Sequence, residues 1–213
     1  MDNKFFENLK KSIQDNYEPG GSHAFDHTQR VYNIALKLAK GQKVDLDVLR
    51  AAALLHDISR LKEDNNEVEC HAEHGAEMAR KILNEMGFPK DKIDKVCYAI
   101  KVHRHSKGIN PETIEAKILQ DADRLDALGA ITIARMFSTG GKTGRPIYKE
   151  GILFGKVYKG YESDSTIHGF YAKIMKIKPE GFNTKKAKLI AKRRYAFVEK
   201  YLKQFLLEWE GKA

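Results

Sequence analysis

The stretch LRAAALLHDISRL, residues 49–61, places an imidazole and a carboxylate inside a run of Ala and Leu that is typical of a buried helix. A buried charge without a partner is costly, so such residues usually pair with another polar group or hold a metal ion. His56 and Asp57 are therefore the first candidates for a functional site. A metal-dependent enzyme is the function that this pattern favours.

Apolar residues at helical spacing continue on both sides of this stretch. The spacing predicts helices over about residues 5–13, 26–40, 45–58, 70–86, 89–105, 112–137, 163–176 and 184–208. Asp45 or Asp47 can cap the third helix, and a polar loop is expected at 62–69. The glycine-rich segment 138–151 is predicted to be non-helical, with a short hairpin as an option for PIYKEGILF, residues 146–154.

These elements predict an all-α helical bundle with a glycine-rich loop and additional C-terminal helices. We expect one domain over residues 1–213, with a core at about 20–137, a loop at 138–162 and a helical extension at 163–213.

The composition favours an anionic partner and excludes several classes of protein. The formal charge is +9, and residues 184–204 alone carry eight Lys or Arg against one acid. Such a charge suits phosphorylated metabolites, nucleotides or nucleic acid, although a solvated surface explains it equally well. No stretch is apolar enough to span a membrane, and the N-terminus lacks a secretory pattern. With only Cys70 and Cys97, both read as free thiols, we expect a cytoplasmic protein.

Further His and Asp residues lie within apolar helical patterns on successive helices. They are His27, His56, Asp57, His74, His103, His105, Asp121, Asp123 and Asp126. Helices of a bundle can direct such side chains into one shared pocket. Imidazole and carboxylate ligands suit Mn, Fe, Co, Ni or Zn better than Ca. Neighbouring residues do not share a helix face, so His56 and Asp57 could converge only on a metal seated in a groove between helices.

Four segments carry a resemblance to a known family. HAFDHTQRVYNIALKLA, AALLHDI, HGAEMARKIL and ILQDADRLDALGAITIARMF resemble, in this order, blocks of small bacterial and archaeal HD hydrolases. The order His27, His56-Asp57, Asp123 resembles the H…HD…D signature of the HD-domain metal-dependent phosphohydrolase superfamily. The resemblance covers about residues 20–137 and implies an all-helical fold whose metal ligands meet in a cleft.

The resemblance implies His27, His56, Asp57 and Asp123 as ligands of one divalent ion (Mn, Fe, Co, Ni or Zn, with Mg compatible). Asp123 is chosen because it precedes Arg124, as in the ADRL pattern of the family. His74 and His103 occupy places comparable to those of the histidines that hold a second metal in binuclear relatives, so a second metal stays open. Contact with phosphate is the favoured role for both residues. By default we assign three further histidines to the surface: His71, His105 and His168. His23 lines the cleft or faces solvent.

Phosphoryl transfer needs positioning and charge stabilisation more than covalent help. We therefore predict that Asp57 also orients the attacking water. The predicted catalytic residues are Asp57, His74, His103, Arg104 and Arg124; the predicted substrate-binding residues are Arg60, Lys142 and Arg145. The loop TGGKTGRP, which contains Lys142 and Arg145, is either a lid over phosphate or a surface connection.

The predicted function is a metal-dependent phosphohydrolase acting on a nucleotide or another small phosphate ester. Aromatic residues near the loop favour a nucleotide, unless they are core; they are Phe137, Tyr148, Phe154, Tyr158 and Tyr161. The alternative is a non-catalytic regulatory or nucleic-acid-binding module with a structural metal, which the basic segment KKAKLIAKRR supports weakly. We expect neither a membrane nor a nucleic-acid partner. Formation of a homodimer through the last helix stays open.

Overall fold

The computed structural model describes residues 1–17, 25–150 and 163–213. The predicted all-α class is confirmed, since these ranges contain α-helices and short 3-10 turns and no strand. The helices are α1 (Asn3–Ile13), α2 (Phe25–Ala39), α3 (Leu46–Leu55), α4 (Arg60–Asp64), α5 (His71–Glu85), α6 (Lys90–Lys101), α7 (Ile114–Asp126), α8 (Ala130–Lys142), α9 (Thr166–Ala172) and α10 (Lys185–Trp209).

The chain divides into two compact units, Met1–Asp123 and Arg124–Ala213, and the division falls inside α7. The single domain with a core at about 20–137 stays a prediction. Among the described residues, no helix combines the length and the apolar character that a membrane crossing requires.

In the first unit, α3 is the central helix. It packs against α1, α2, α5 and α6, and its residues from Val48 to Leu55 are buried apart from Arg50. Three consecutive alanines, Ala51 to Ala53, let neighbouring helices approach closely. The Asp45 side chain accepts hydrogen bonds from the backbone N–H groups of Asp47 and Val48, so Asp45 is the cap. Cys70 and Cys97 are free, as predicted.

The end of α3 differs from the sequence prediction. The helix stops at Leu55, and residues 56–59 form a turn that leads directly into α4. The prediction of helix to residue 58 and of a polar loop from residue 62 was therefore wrong. The His56 ring, 3.0 Å from the Ala53 carbonyl oxygen, competes for an acceptor of the helical ladder, and the next bond is the shorter-range one from Ile58 N–H to Leu55.

The second unit contains α8, α9 and α10, with α8 packed against the other two. Aromatic rings at centroid separations of 5.2 to 6.5 Å form a cluster made of Phe137, Tyr148, Phe170, Tyr201, Phe205 and Trp209. This packing favours the core interpretation for Phe137 and Tyr148. Phe154, Tyr158 and Tyr161 lie outside the described residues.

Two predictions about residues 112–142 were wrong, and glycines explain both. The expected continuous helix is divided at Gly129, whose φ of 90° does not fit a right-handed helix. Residues 138–142 are helical instead of irregular, because they complete α8. A Cβ atom at Gly140 would clash with Thr166 Oγ1, so this glycine permits close packing rather than ending the helix. Residues 146–150 contain no strand, and the rest of the optional hairpin lies outside the described residues.

Candidate metal centre

Three buried side chains of the first unit form a compact group, which we call the first trio: His27, His56 and Asp57. The ligand atoms of the three residues lie within 4.8 Å of one another. Asp57 Oδ2 is 3.6 Å from His27 Nε2 and 3.7 Å from His56 Nε2. The two Nε2 atoms are 3.4 Å apart. His27 comes from the first turn of α2, whereas the other two come from the turn after α3.

That turn resolves the geometric difficulty posed by adjacent ligands. Because α3 ends at Leu55, His56 and Asp57 are not held on different faces of a continuing helix, and both reach the same place.

Asp123 joins this group from α7, with its Oδ1 atom 3.3 Å from His27 Nε2. Its side chain is 30% exposed, whereas those of His27, His56 and Asp57 are at most 7% exposed. The cluster is therefore closed on the His56 side and accessible at Asp123. The structure brings together all four residues that the family resemblance implied as ligands.

A second trio shares Asp57 and adds His71 and His103. Asp57 Oδ1 is 3.2 Å from His71 Nε2 and 3.6 Å from His103 Nε2. The two imidazole Nε2 atoms are again 3.4 Å apart. The two oxygens of one carboxylate thus face two different pairs of histidines.

Three of the histidine rings are fixed by hydrogen-bond acceptors that lie beside their Nδ1 atoms, on the side of the ring away from Nε2. His56 Nδ1 lies 3.0 Å from the Ala53 carbonyl oxygen, and His103 Nδ1 lies 2.6 Å from that of Ile100. His71 Nδ1 lies 2.7 Å from Glu63 Oε2. An acceptor at Nδ1 fixes the Nδ1–H tautomer and leaves the Nε2 lone pair available, which is the usual arrangement of a metal-binding histidine.

The spacing of the nitrogens agrees with this interpretation. Two nitrogens about 2.1 Å from one ion at a tetrahedral angle lie about 3.4 Å apart. Lone pairs of two neutral imidazoles facing each other at that distance repel unless a cation or a proton lies between them. The donor set therefore fits a divalent metal ion.

Burial lowers the pKa of His56 to about 4, against a smaller raising effect of Asp57, so this imidazole is neutral at pH 7. Burial also acts to lower the pKa of His103, but the hydrogen bond and charge of Asp57 outweigh it and raise the pKa. Burial would raise the pKa of Asp123, yet the hydrogen bond and charge of His27 lower it, so the carboxylate is ionised. These are the protonation states that metal binding requires at His56 and Asp123.

Glu63, Arg104 and Arg60 form a charged group beside the second trio. Arg104 Nη1 donates to both oxygens of Glu63, at 3.1 and 2.9 Å. Arg60 lies 3.7 Å from Glu63 and pairs more closely with Asp64, at 2.9 Å. The predicted cations Arg60 and Arg104 thus belong to one ion-pair network, and Glu63 at its centre was not predicted.

Two histidines of α5, His71 and His74, lie in different surroundings. His71 is 3% exposed and belongs to the second trio, so its assignment to the surface was wrong. His74 belongs to neither trio, and its Nδ1 atom lies 2.7 Å from Ser59 Oγ. A signal for His71 was present in the sequence, because it lies four residues before Gly75 and eight before Ala79, on the buried face of the helix.

Two other predicted surface histidines have different outcomes. His105 is exposed, as predicted. His168 is 2% exposed, so that assignment was wrong, and its Nδ1 atom accepts the backbone N–H of Asp164 at the start of α9. His23 lies outside the described residues.

Three predicted cations belong to the second unit. Arg124 donates to the carbonyl oxygen of Gly181 at 2.5 Å and lies 4.4 Å from the ring centre of Phe182. These contacts give it a structural role, and its catalytic role stays a prediction. Lys142 is the exposed last residue of α8, and Arg145 follows it in the turn. Their roles in substrate binding also stay predictions.

The neighbouring carboxylates of α7 are placed differently from Asp123. Asp126 is buried and pairs with Arg135 at 2.8 Å, and Asp121 is fully buried.

Comparison with known proteins identifies the family. The HD domain family model matches residues 24–128. The crystal structure of an HD-superfamily hydrolase from Bacillus thuringiensis is 32% identical with a TM-score of 0.77, over 97% of both chains. The uncharacterised Bacillus subtilis protein YpgQ is 29% identical over 191 residues, covering 88% of this chain and 84% of YpgQ.

A crystal structure of YpgQ in complex with ADP is also similar, with 26% identity and a TM-score of 0.72 over 95% of this chain and 93% of that chain. The chain belongs to the HD-domain superfamily, and the resemblance seen in the sequence is confirmed.

Proposed function

We propose that this protein is a metal-dependent phosphohydrolase that acts on a nucleotide or a closely related phosphate ester. The observation that carries the proposal is the pair of trios, in which imidazole Nε2 atoms converge on both oxygens of the buried Asp57. The HD-superfamily hydrolase from Bacillus thuringiensis supports the reaction class, and the ADP complex of YpgQ supports a nucleotide ligand.

His27, His56, Asp57 and Asp123 would hold the ion, and Mn, Fe, Co, Ni or Zn suits this ligand set. The second trio leaves room for a further ion. A divalent ion in the centre would lower the pKa of a water molecule and withdraw charge from a phosphoryl oxygen. The partial exposure of Asp123 supports substrate access from its side of the cluster.

The chain's own residues would position the reactants. Asp57 would orient the attacking water through the oxygen that is not occupied by the ion. Arg104 and Arg60 would meet the phosphoryl oxygens, since guanidinium groups bind phosphate through paired N–H donors. His74 and His103 are proposed to assist them. Contacts from Arg124, Lys142 and Arg145 to phosphate belong to the same proposal.

The test is hydrolysis of nucleoside mono-, di- and triphosphates and p-nitrophenyl phosphate with Mn²⁺ or Co²⁺ after removal of bound metal. We expect metal-dependent release of phosphate or pyrophosphate from at least one nucleotide. If no substrate turns over while the metal still raises the melting temperature, the centre is structural and the proposal is wrong.

A second candidate, a nucleic-acid-binding module, is favoured by one observation. In α10, the basic side chains of Lys188, Lys192 and Arg193 are exposed, within a segment of eight Lys or Arg and one acid over residues 184–204. Binding of labelled RNA or DNA with a steep salt dependence would support this function instead.

A further inference from the structure

We propose that Glu63 is a positioning residue that couples the metal centre to the phosphate-binding arginine Arg104. The inference rests on the proposed function and extends it to a residue that touches neither metal nor substrate. One carboxylate accepts hydrogen bonds from the His71 backbone N–H at 2.6 Å, pairs with His71 Nδ1 at 2.7 Å, and binds Arg104 Nη1 at 2.9 and 3.1 Å.

The chain places Glu63 there through the turn that carries the metal ligands. The turn at residues 56–59 leads directly into α4, and Glu63 lies in this short helix. The carboxylate lies at the N-terminus of α5, where the first N–H groups of the helix have no partner within it. Cys70, the residue before His71, makes no side-chain capping bond, so Glu63 supplies an acceptor and a favourable negative charge from another helix.

Glu63 also decides which nitrogen of His71 can bind a metal. His71 Nδ1 has two polar neighbours, Glu63 Oε2 at 2.7 Å and Arg60 Nη1 at 3.4 Å. An ionised carboxylate only accepts and a guanidinium only donates, so the ring cannot satisfy both. The shorter, charge-assisted bond to Glu63 prevails, which puts the proton on Nδ1 and leaves Nε2 facing Asp57.

The two oxygens of Glu63 divide the partners between them. Oε2 accepts from His71 and from Arg104, whereas Oε1 contacts Arg104 and Arg60. The same carboxylate therefore holds His71 and Arg104 at once.

Arg104 keeps donors available for a substrate. Its contacts with Glu63 and with Cys70 Sγ all use Nη1. Across residues 1–17, 25–150 and 163–213, Nε and Nη2 of Arg104 have no protein partner. Because Glu63 holds Nη1, the rest of the guanidinium is oriented, and its N–H groups can donate hydrogen bonds to phosphoryl oxygens.

The experiment compares Glu63→Ala and Glu63→Gln with a nearby control, Glu67→Ala. Glu67 is exposed, and its contact is with Asn65. Co²⁺ affinity is measured by titration of the visible absorption band, and kcat and KM are measured separately on the best nucleotide. A carboxylate behind a metal-binding histidine typically contributes about 10- to 100-fold in metal affinity.

For Glu63→Ala we expect Co²⁺ affinity to fall about tenfold, at the lower end of that range, and KM to rise by a similar factor. Glu63→Gln can still accept from His71 but no longer neutralises Arg104, so its main effect is expected on KM. Glu67→Ala should match the wild type in both quantities. In a His71→Ala background, Glu63→Ala should raise KM without weakening metal binding further, because the metal effect passes through His71.

Wild-type Co²⁺ affinity and wild-type KM in both Glu63 variants would overturn the inference. Failure of the wild type itself to bind any metal would instead overturn the proposed function. If Glu63→Ala does not fold, as judged by circular dichroism, Glu63→Gln decides the matter through its KM and its Co²⁺ affinity.

Discussion

The two trios share Asp57 but differ in what holds their histidines. In the first trio, His56 is held by the main-chain carbonyl of Ala53 at the end of the central helix. In the second, His103 is held in the same way by the main-chain carbonyl of Ile100, but His71 is held by the side chain of Glu63, which also binds Arg104. The second trio therefore depends in part on an ion pair between side chains. We infer that the first trio provides most of the metal affinity and the second links the metal to the substrate.

The largest effect is expected at the residue that both trios share. Asp57→Ala removes the carboxylate from all four histidines, so turnover should fall by at least about 10³-fold and metal affinity should fall with it. Asp57→Asn keeps the size of the side chain and removes its charge. Comparison with Asp57→Ala therefore distinguishes the effect of the charge from the effect of the size. The measurements are kcat/KM and Co²⁺ titration, with the exposed Asp94→Ala as control. Turnover that persists in Asp57→Ala would remove both trios from the mechanism.

A smaller difference should separate the trios from each other. His56→Ala should weaken metal binding by more than the roughly 10- to 100-fold that loss of an outer-shell partner costs, because it removes a proposed direct ligand. His71→Ala should weaken it by only about tenfold, in line with the effect expected for Glu63→Ala. Equilibrium dialysis followed by metal analysis gives both affinity and stoichiometry. Equal losses in the two variants would contradict the ranking and make the five residues of the two trios one undivided site.

Much of the first trio could be predicted from the sequence, because its signals are local. His56 and Asp57 interrupt a buried helix pattern, and the ordered segments around His27 and Asp123 resemble a known family. The end of α3 at Leu55 was not predictable from helical spacing, since it follows from the contact of the His56 ring with Ala53.

The second trio and the residue that supports it were harder to predict because no local pattern marks them. Glu63 lies in a stretch of charged residues that reads as a polar loop, and its partner Arg104 is 41 residues away. No spacing rule connects them. His71 and His74 lie on the same helix, and only the register of Gly75 and Ala79 distinguishes the buried histidine from the other.

His56 of the first trio and His103 of the second should also respond to pH in opposite directions in metal-free protein. The pKa of His56 is lowered to about 4, so below its ordinary value of about 6.5 the unfolded state takes up a proton that the folded state does not. Its contribution to the free energy of unfolding therefore falls as the pH drops from about 6.5 towards 4. The pKa of His103 is raised, so its contribution is fully present below about 6.5 and is lost as the pH rises through the folded value.

Urea unfolding in the presence of chelator, from about pH 4.5 to 8, measures these slopes, each at most about 1.4 kcal/mol per pH unit. His56→Gln should flatten the acid side of the profile, and His103→Gln should flatten the side above about pH 6.5. Profiles of both variants that run parallel to the wild type would contradict the assignment of opposite shifts.

The smallest effect is expected at Ser59, and it tests whether His74 contributes to metal binding or to phosphate binding. Ser59 is fully buried, and its hydroxyl contacts His74 Nδ1 at 2.7 Å. Ser59→Ala should cost about 1 kcal/mol of stability and leave metal affinity within about twofold, because the variant removes one hydrogen bond and no ligand. A tenfold loss of metal affinity would place His74 in the metal centre. An increase in KM alone would support the proposed contact between His74 and phosphate, because the ring would then have lost its orientation without disturbing either trio.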